Sequence, residues 1–451
     1  MDQLWFRSAL LAQGWAEDVR LTLADGTITA VETGVAPGPG DARGGAALPG
    51  LANLHSHAFQ RALAGRAEQR GPGGDDFWSW RTGMYRLAER IGPEDLEAIA
   101  ALAYAEMLEA GFTRVGEFHY VHHDRDGAAY GEPAEMAAAI AAAAGVTGIG
   151  LTLLPVFYAQ SGFGGLPPTP GQRRFVTNPV SYARLLEASR RAAAALPDAV
   201  VGIAPHSLRA VTPESLAEVL ALAPSGPVHI HIAEQTKEVD DCLAWSGARP
   251  VQWLYDHFEV DARWCLVHAT HVDPGELGLI ARSGAVAGLC PITEANLGDG
   301  LFPARAFLDL NGAFGVGSDS NVLIDAAEEL RLLEYGQRLA ARQRNVLAGA
   351  EGDTGATLWR GAWAGGSRAL GVEPEVIRKG APATFVSLDL DHPALLGAPA
   401  DELIPRWLFA ARAPALDGVW RRGRKVVSGG RHVGRDAIVR SYRETLARLS
   451  G

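Results

Sequence analysis

Residues 48–61 read LPGLANLHSHAFQR, and this stretch decides the fold. A short apolar run passes through Leu54 into His55-Ser56-His57. Side chains two apart on a strand share a face, so both imidazoles point the same way at the strand's carboxyl end. Working outward, the pattern recurs. PVHIHIA (227–233) carries His231, WCLVHA (264–269) carries His268, and GAFGVGSD (312–319) ends in Asp319. Four more apolar runs lie between them: TRVGEF (113–118), GIGLTLLPVF (148–157), AVVGIAP (199–205) and AVAGLCP (285–291). Helical patterns separate these runs, among them Pro93–Ala110, Pro213–Leu222, Pro274–Ser283 and Ala326–Arg344. Strands alternating with amphipathic helices are the signature of parallel βαβ units. Eight of them predict an α/β fold, a closed (β/α)8 TIM-type barrel over residues 50–375. The carboxyl ends of barrel strands converge on one face, which carries the active site.

The chain ends have a different texture. Residues 1–49 and 376–451 contain short alternating segments (VRLTLADG, ATFVSLDLD, GVWRRGRKVV) broken by Gly, Asp and Pro. Together they predict a small β-sandwich domain beside the barrel, with a terminal helix from about Asp436. No GxGxxG or GxxxxGK[ST] follows a strand, so a dinucleotide or P-loop site has no motif behind it.

A length of 451 residues suits one barrel plus a smaller appendage, and 47% hydrophobic with 21% charged residues is ordinary for a soluble protein. The net charge of −11 excludes the basic footprint of a nucleic-acid binder. Cys242, Cys265 and Cys290 form no CxxC pair, so the expectation is three buried thiols and a cytoplasmic protein. The N-terminus shows no basic start followed by an apolar run, hence no signal peptide. Met136–Phe157 is uncharged and long enough to span a bilayer. Its alanines stop near Gly145, however, and β-formers follow, so it reads as a helix capped at Gly145 and then a buried strand, with no membrane partner.

His55, His57, His231 and Asp319 are the expected metal ligands. Imidazole with carboxylate suits one divalent ion, Zn²⁺ first and Fe²⁺ as the alternative, and a position left for water makes the site catalytic. Such an ion lowers the pKa of water from 15.7 toward about 7. Glu234, three residues after His231, is placed to carry a proton to a leaving nitrogen. His268 can polarise the electrophile, and Asp319 can take a proton while holding the ion. An HxH pair alone is more often a surface feature, and a lone Asp in GSDS more often a helix cap. The coincidence on strands one, five, six and eight favours chemistry. His229 shares a side with His231 but lies a layer deeper and reads as core; His122 and His123 read as loop-ordering groups.

LPGLANLHSHAFQR, HIAE, LVHATH and GSDSN together resemble the amidohydrolase superfamily in its deaminase and chlorohydrolase branch, over the whole chain. That branch uses a single metal, and AVVGIAP offers no bridging lysine. The stretches HSHAFQRALAG, DDFWSWRTGMYR, EFHYVHHD, APHSLRAV, CPITEANLGDGLFP and EELRLLEYGQRL are similar to the formimidoylglutamate deiminase family. The resemblance implies hydrolysis of N-formimino-L-glutamate to N-formyl-L-glutamate and ammonia in histidine degradation. It implies a homodimer, and a substrate pocket lined by Gln60, Arg81, Tyr120, His206 and Arg209. Two arginines suit a small anionic substrate with two carboxylates. The competing readings are a deaminase of an aminated heterocycle (guanine, cytosine or a triazine) and a barrel that has lost catalysis and serves as a scaffold.

Overall fold

The near-continuous apolar runs become strands buried on both faces, as expected of a parallel sheet covered by helices. The computed structural model describes residues 2–69, 76–412 and 415–450. The N-terminal segment forms β1 (Asp2–Leu11), β2 (Gly14–Ala24), β3 (Thr27–Glu32) and β4 (Ala42–Leu48). The barrel strands are β5 (Leu51–Ser56), β6 (Phe112–His119), β7 (Gly150–Phe157), β8 (Val200–Val201), β9 (Ala204–Pro205), β10 (Val228–Ile232), β11 (Trp264–His268), β12 (Val286–Leu289) and β13 (Ala313–Val316). The C-terminal segment adds β14 (Phe385–Leu388), β15 (Leu416–Arg421), β16 (Arg424–Ser428) and β17 (Arg431–His432).

β5 to β8 pair in parallel, β9 pairs with β7, and β10 to β13 pair in parallel. Bridges Ile203–Val228 and Ser207–His231 join the two arcs on one side, and Ser56–Asp319 joins them on the other. The last seam is made by the ligand segments themselves. Asp319 N–H donates to His55 O and His57 N–H donates to Asp319 O, each at 2.9 Å. The barrel is closed. The predicted fourth strand is split into β8 and β9 at Gly202, where a Cβ would lie 2.5 Å from Pro227 O.

The chain ends join in one mixed eight-stranded sheet, ordered β17-β16-β15-β14-β4-β1-β2-β3. β4 is the joint, parallel to β1 and antiparallel to β14. An apolar cluster separate from the barrel core, built on Phe6, Phe385 and Trp420, packs against this sheet.

Two helix ends differ from the sequence reading. The alanine helix spans Glu135–Thr147, so Gly145 lies inside it and the left-handed cap is Gly148 at φ 80°. Alanine-rich flanks extend a helix through one glycine at about 1 kcal/mol. The helix Ala326–Ala341 ends three residues early because Arg342 adopts φ 55°. The uncharged stretch 136–157 is thus a helix followed by β7, and no helix among the described residues is long and apolar enough to cross a membrane.

Candidate active site

The four predicted ligands meet at one point. His55 Nε2 stands 3.2 Å from His57 Nε2 and 3.0 Å from His231 Nε2. Asp319 Oδ1 lies 3.5 Å from His55 Nε2 and 3.3 Å from His57 Nε2. All four residues are buried. Main-chain carbonyls accept only, so they fix which ring nitrogens carry hydrogen. His57 Nδ1 donates to Phe118 O at 2.9 Å, and His231 Nδ1 donates to His206 O at 3.0 Å. Burial holds all three imidazole pKa values low, His55 at about 3, so the rings are neutral, and on His57 and His231, whose Nδ1 carries the hydrogen, Nε2 is a bare lone pair.

Lone pairs aimed at one another and at a carboxylate repel unless a cation lies among them. Neighbouring donors about 2.1 Å from one ion, at angles between the roughly 90° and 109° of five- and four-coordinate sites, stand about 3.0–3.4 Å apart. The spacing fits, and the residues present suit a single divalent ion.

The local chain is shaped for this convergence. Gly317 packs so tightly on β5 that a Cβ would lie 2.7 Å from His55 O. Ala233, His268, Ala269, Asp319 and Asn321 all hold positive φ between 44° and 67° at the barrel mouth. Such backbone costs about 1–3 kcal/mol per residue and persists where the surroundings over-determine it. Here it turns the side chains of His268 and Asp319 off their strand ends toward the centre. Asn321 is one of the surrounding braces. Its amide donates to Ser56 Oγ, His57 O and Asp319 O at 3.1–3.2 Å, and its Oδ1 accepts from Ser318 Oγ at 2.6 Å.

Proton-bearing groups stand beside the four ligands. His268 Nε2 is 3.7 Å from Glu234 Oε1 and 3.9 Å from Asp319 Oδ2, while its Nδ1 is 3.2 Å from Glu294 Oε1. Burial alone would lower its pKa, but Glu234, Glu294 and Asp319 together raise it to about 10. Glu234 is pushed up to about 7 by burial, with His268 and Arg209 opposing. Burial also works against the Asp319 carboxylate, yet the hydrogen bond with His55 and the imidazoles of His57 and His268 hold it well below the usual range. Glu238 accepts from the N–H groups of Ala233 and Glu234 at 3.3 and 3.2 Å, fixing the turn that aims Glu234 inward.

The side of the barrel on which the four ligands converge opens into a cavity of about 560 Å³, mouth included. His57, His231, Asp319, Glu234 and His268 form its floor, and all five predicted substrate residues line it. Gln60 donates to Tyr120 OH at 2.8 Å. Arg81, on the helix Phe77–Ala88, lies over Trp78 and Tyr85 with no ion pair among the described residues. Arg209 is buried, 3.8 Å from both Glu234 and Glu238. His206 presents its ring to the cavity and its carbonyl to His231. His55 lies beneath the floor, fully buried.

Residues outside the site also sit where their chemistry sends them. His229 bonds to Ala369 O at 2.7 Å within the core. His122 and His123 bond to Val156 O and Val176 O. All three cysteines are buried and free.

Sequence reasoning missed Glu238 and Glu294, and the cavity residues Tyr85, Tyr158 and Phe175. A buried-side carboxylate at the first turn of the helix Thr236–Ser246 was the one legible signal for Glu238. The tyrosines had none, because an aromatic after a strand is most often core.

Comparison with known proteins adds an independent line. Residues 46–426 match the amidohydrolase family, and residues 1–45 match the N-terminal domain of formimidoylglutamate deiminase HutF. A formimidoylglutamate deiminase of Pseudomonas aeruginosa is 51% identical over the full length of both chains. A 5-methylthioadenosine/S-adenosylhomocysteine deaminase of Natronomonas pharaonis is 28% identical over 89% of this chain and 84% of that one. An amidohydrolase structure from Brucella melitensis superimposes with TM-score 0.96 at 55% identity, covering both chains entirely. An adenosine deaminase structure from Xanthomonas campestris with bound zinc gives TM-score 0.79 at 25% identity, over 99% of this chain and 98% of that one.

Proposed function

The chain belongs to the amidohydrolase family, and from that premise we propose that it hydrolyses N-formimino-L-glutamate to N-formyl-L-glutamate and ammonia. The observation that carries the reading is one cavity holding a complete hydrolytic floor under two guanidiniums, Arg81 without an ion pair among the described residues and Arg209 at 3.8 Å from Glu234 and Glu238. The full-length relative at 51% identity supports the same substrate.

We take the ion to be Zn²⁺, held by His55, His57, His231 and Asp319, because three neutral imidazoles and a carboxylate suit it. When bound, it lowers the pKa of water toward about 7. The protein's own groups do the rest. Arg81 and Arg209 hold the substrate carboxylates, and Gln60, Tyr120 and His206 bound the space for its formimino group. Protonated His268 donates to charge growing at the attacked carbon's substituents. Glu234, with a pKa near working pH, receives the proton of the attacking water and returns it to the terminal nitrogen. The C–N bond then breaks and ammonia departs. Protonation of the substituted nitrogen would instead give formamide and glutamate.

All cavity-lining residues fall between 57 and 319, so the barrel proposed for residues 50–375 supplies the whole site. The domain assigned to 1–49 and 376–451 supplies none of it. We also read the protein as a cytoplasmic homodimer acting in histidine degradation, on the strength of the resemblance. Sizing by light scattering tests the dimer.

The deciding assay is ammonia release from N-formimino-L-glutamate by metal-loaded protein, with Glu234→Gln as control. A kcat/KM above about 10⁴ M⁻¹s⁻¹, lost in the control, is expected. Formamide in place of ammonia, or turnover of guanine or adenosine derivatives instead, would overturn the reading. The same preparation, analysed for zinc and iron after purification without added ions, tests the metal.

A further inference from the structure

The upper part of the cavity holds hydrogen-bond donors that this reaction scheme leaves unused. Tyr158 follows β7 and Tyr85 belongs to the helix Phe77–Ala88, and both line the cavity. Gln172, buried on the loop after β7, holds the two together. Its Oε1 accepts from the main-chain N–H of Thr169 at 2.7 Å and from Thr169 Oγ1 at 3.1 Å. A main-chain N–H only donates, so the amide orientation is fixed and Nε2 must face the tyrosines. Nε2 donates to Tyr158 OH at 2.7 Å and to Tyr85 OH at 3.4 Å.

Proton counting then decides what the tyrosines can do. Each phenol oxygen receives a hydrogen from Gln172, which leaves each phenol its own hydrogen to give. If one phenol gives to the other, a hydrogen still remains. The charged groups that act on the Tyr158 phenol are Arg209 and Arg81, which have no acceptor atoms. His206, packed 4.7 Å from the Tyr158 ring, spends Nδ1 on Ser207 Oγ. Burial raises the Tyr158 pKa further above the usual phenol range, so it stays a donor throughout the working range. Two phenol donors and two guanidiniums therefore face one space: among the described residues neither phenol donates to anything beyond the other phenol, and Arg209 has only the carboxylates of Glu234 and Glu238, each 3.8 Å away. A neutral ring could accept from the phenols but brings no charge for the guanidiniums; a carboxylate supplies both.

We propose that Tyr158 and Tyr85, oriented by Gln172, donate directly to a substrate carboxylate and set the preference for an acyclic dicarboxylate. The proposal rests on the deiminase reading. Tyr158 and Tyr85 are specificity residues in this account, and Gln172 is a positioning residue that acts through them.

Two readouts test it: the KM for N-formimino-L-glutamate, and glutarate binding by calorimetry to the metal-loaded protein. Tyr158→Phe keeps the ring and deletes only the donor. A hydrogen bond to a charged group lost in this way corresponds to a rise of about 10- to 100-fold in both KM and the glutarate Kd. kcat should stay within about threefold, as expected for loss of uniform binding. Tyr85→Phe should move the same quantities in the same direction. Gln172→Met, which removes the orienting donors, should raise KM less, and less again in a Tyr158→Phe background. Unchanged glutarate affinity in both Phe variants, with a wild type that binds glutarate and releases ammonia, overturns this proposal alone. A wild type that does neither overturns the deiminase reading and this proposal with it.

Discussion

Adding one methyl group at Gly317 should disrupt the metal centre with every ligand residue unchanged. An alanine Cβ there would lie 2.7 Å from His55 O, 2.8 Å from His55 N and 2.9 Å from His55 Cβ. None of these is the free end of a flexible side chain, so relief requires the main chain to move. Reaching an ordinary contact of 3.4 Å means parting β5 from the segment after β13 by about 0.7 Å. Functional constellations tolerate about 0.5 Å. The displaced seam carries the hydrogen bonds from Asp319 N–H to His55 O and from His57 N–H to Asp319 O, so three of the four ligands shift together. Overpacking of this kind costs about 1–3 kcal/mol of stability. Disturbing the groups that orient ligands lowers metal affinity by about 10- to 100-fold. Zinc titration against a chelator gives the affinity, and thermal melts with and without metal give the stability. Gly40→Ala is the control, since a Cβ there meets nothing within 4 Å. A Gly317→Ala protein that binds zinc with wild-type affinity refutes the argument that this close approach sets the ligand geometry.

Three further outcomes follow from the same geometry. Arg209→Met should raise the KM for N-formimino-L-glutamate by about 10- to 100-fold, the worth of a charged hydrogen bond; steady-state kinetics with unchanged kcat/KM would remove Arg209 from the carboxylate site. Glu238→Ala strands the N–H groups of Ala233 and Glu234, each at about 1–3 kcal/mol, so the melting temperature and kcat should both fall, and an unaltered melt counts against the brace. His229 is buried with its pKa lowered to about 4 by desolvation, below the 6.5 of a free imidazole. Between those values the unfolded chain binds the extra proton, so its contribution is fully present above pH 6.5 and is lost as pH falls toward 4, at up to about 1.4 kcal/mol per pH unit. His229→Gln, whose amide can still donate to Ala369 O, should flatten that limb of the stability profile in denaturant titrations. A slope identical to wild type would mean that His229 titrates freely.

Much of this molecule was legible before any coordinates. Strand-forming runs are local, and so are the helical patterns between them. Their alternation gives a parallel barrel, and a barrel places strand ends on one face. That chain of reasoning put His55, His57, His231, Glu234, His268 and Asp319 together across more than half of the sequence. Helix ends were less legible, because Gly145 and Gly148 are both plausible stops and alanines carried the helix past the first.

What the sequence could not show is anything made by contact between distant segments. Glu238 looks like a solvated first-turn carboxylate until Arg209 and the Ala233 turn pack around it. Gly317 is one glycine among 53 until β5 lies against it. Gln172, Tyr158 and Tyr85 are separated by up to 87 residues, and only the closed barrel brings an amide and two phenols into one cluster. Periodicity and strand-end placement follow from bond geometry along the chain, and one sequence suffices to read them. Which donor meets which acceptor, and which backbone must hold a left-handed turn to aim a ligand, depends on distances of a few tenths of an ångström between elements. Those distances are set by the packing of the whole fold.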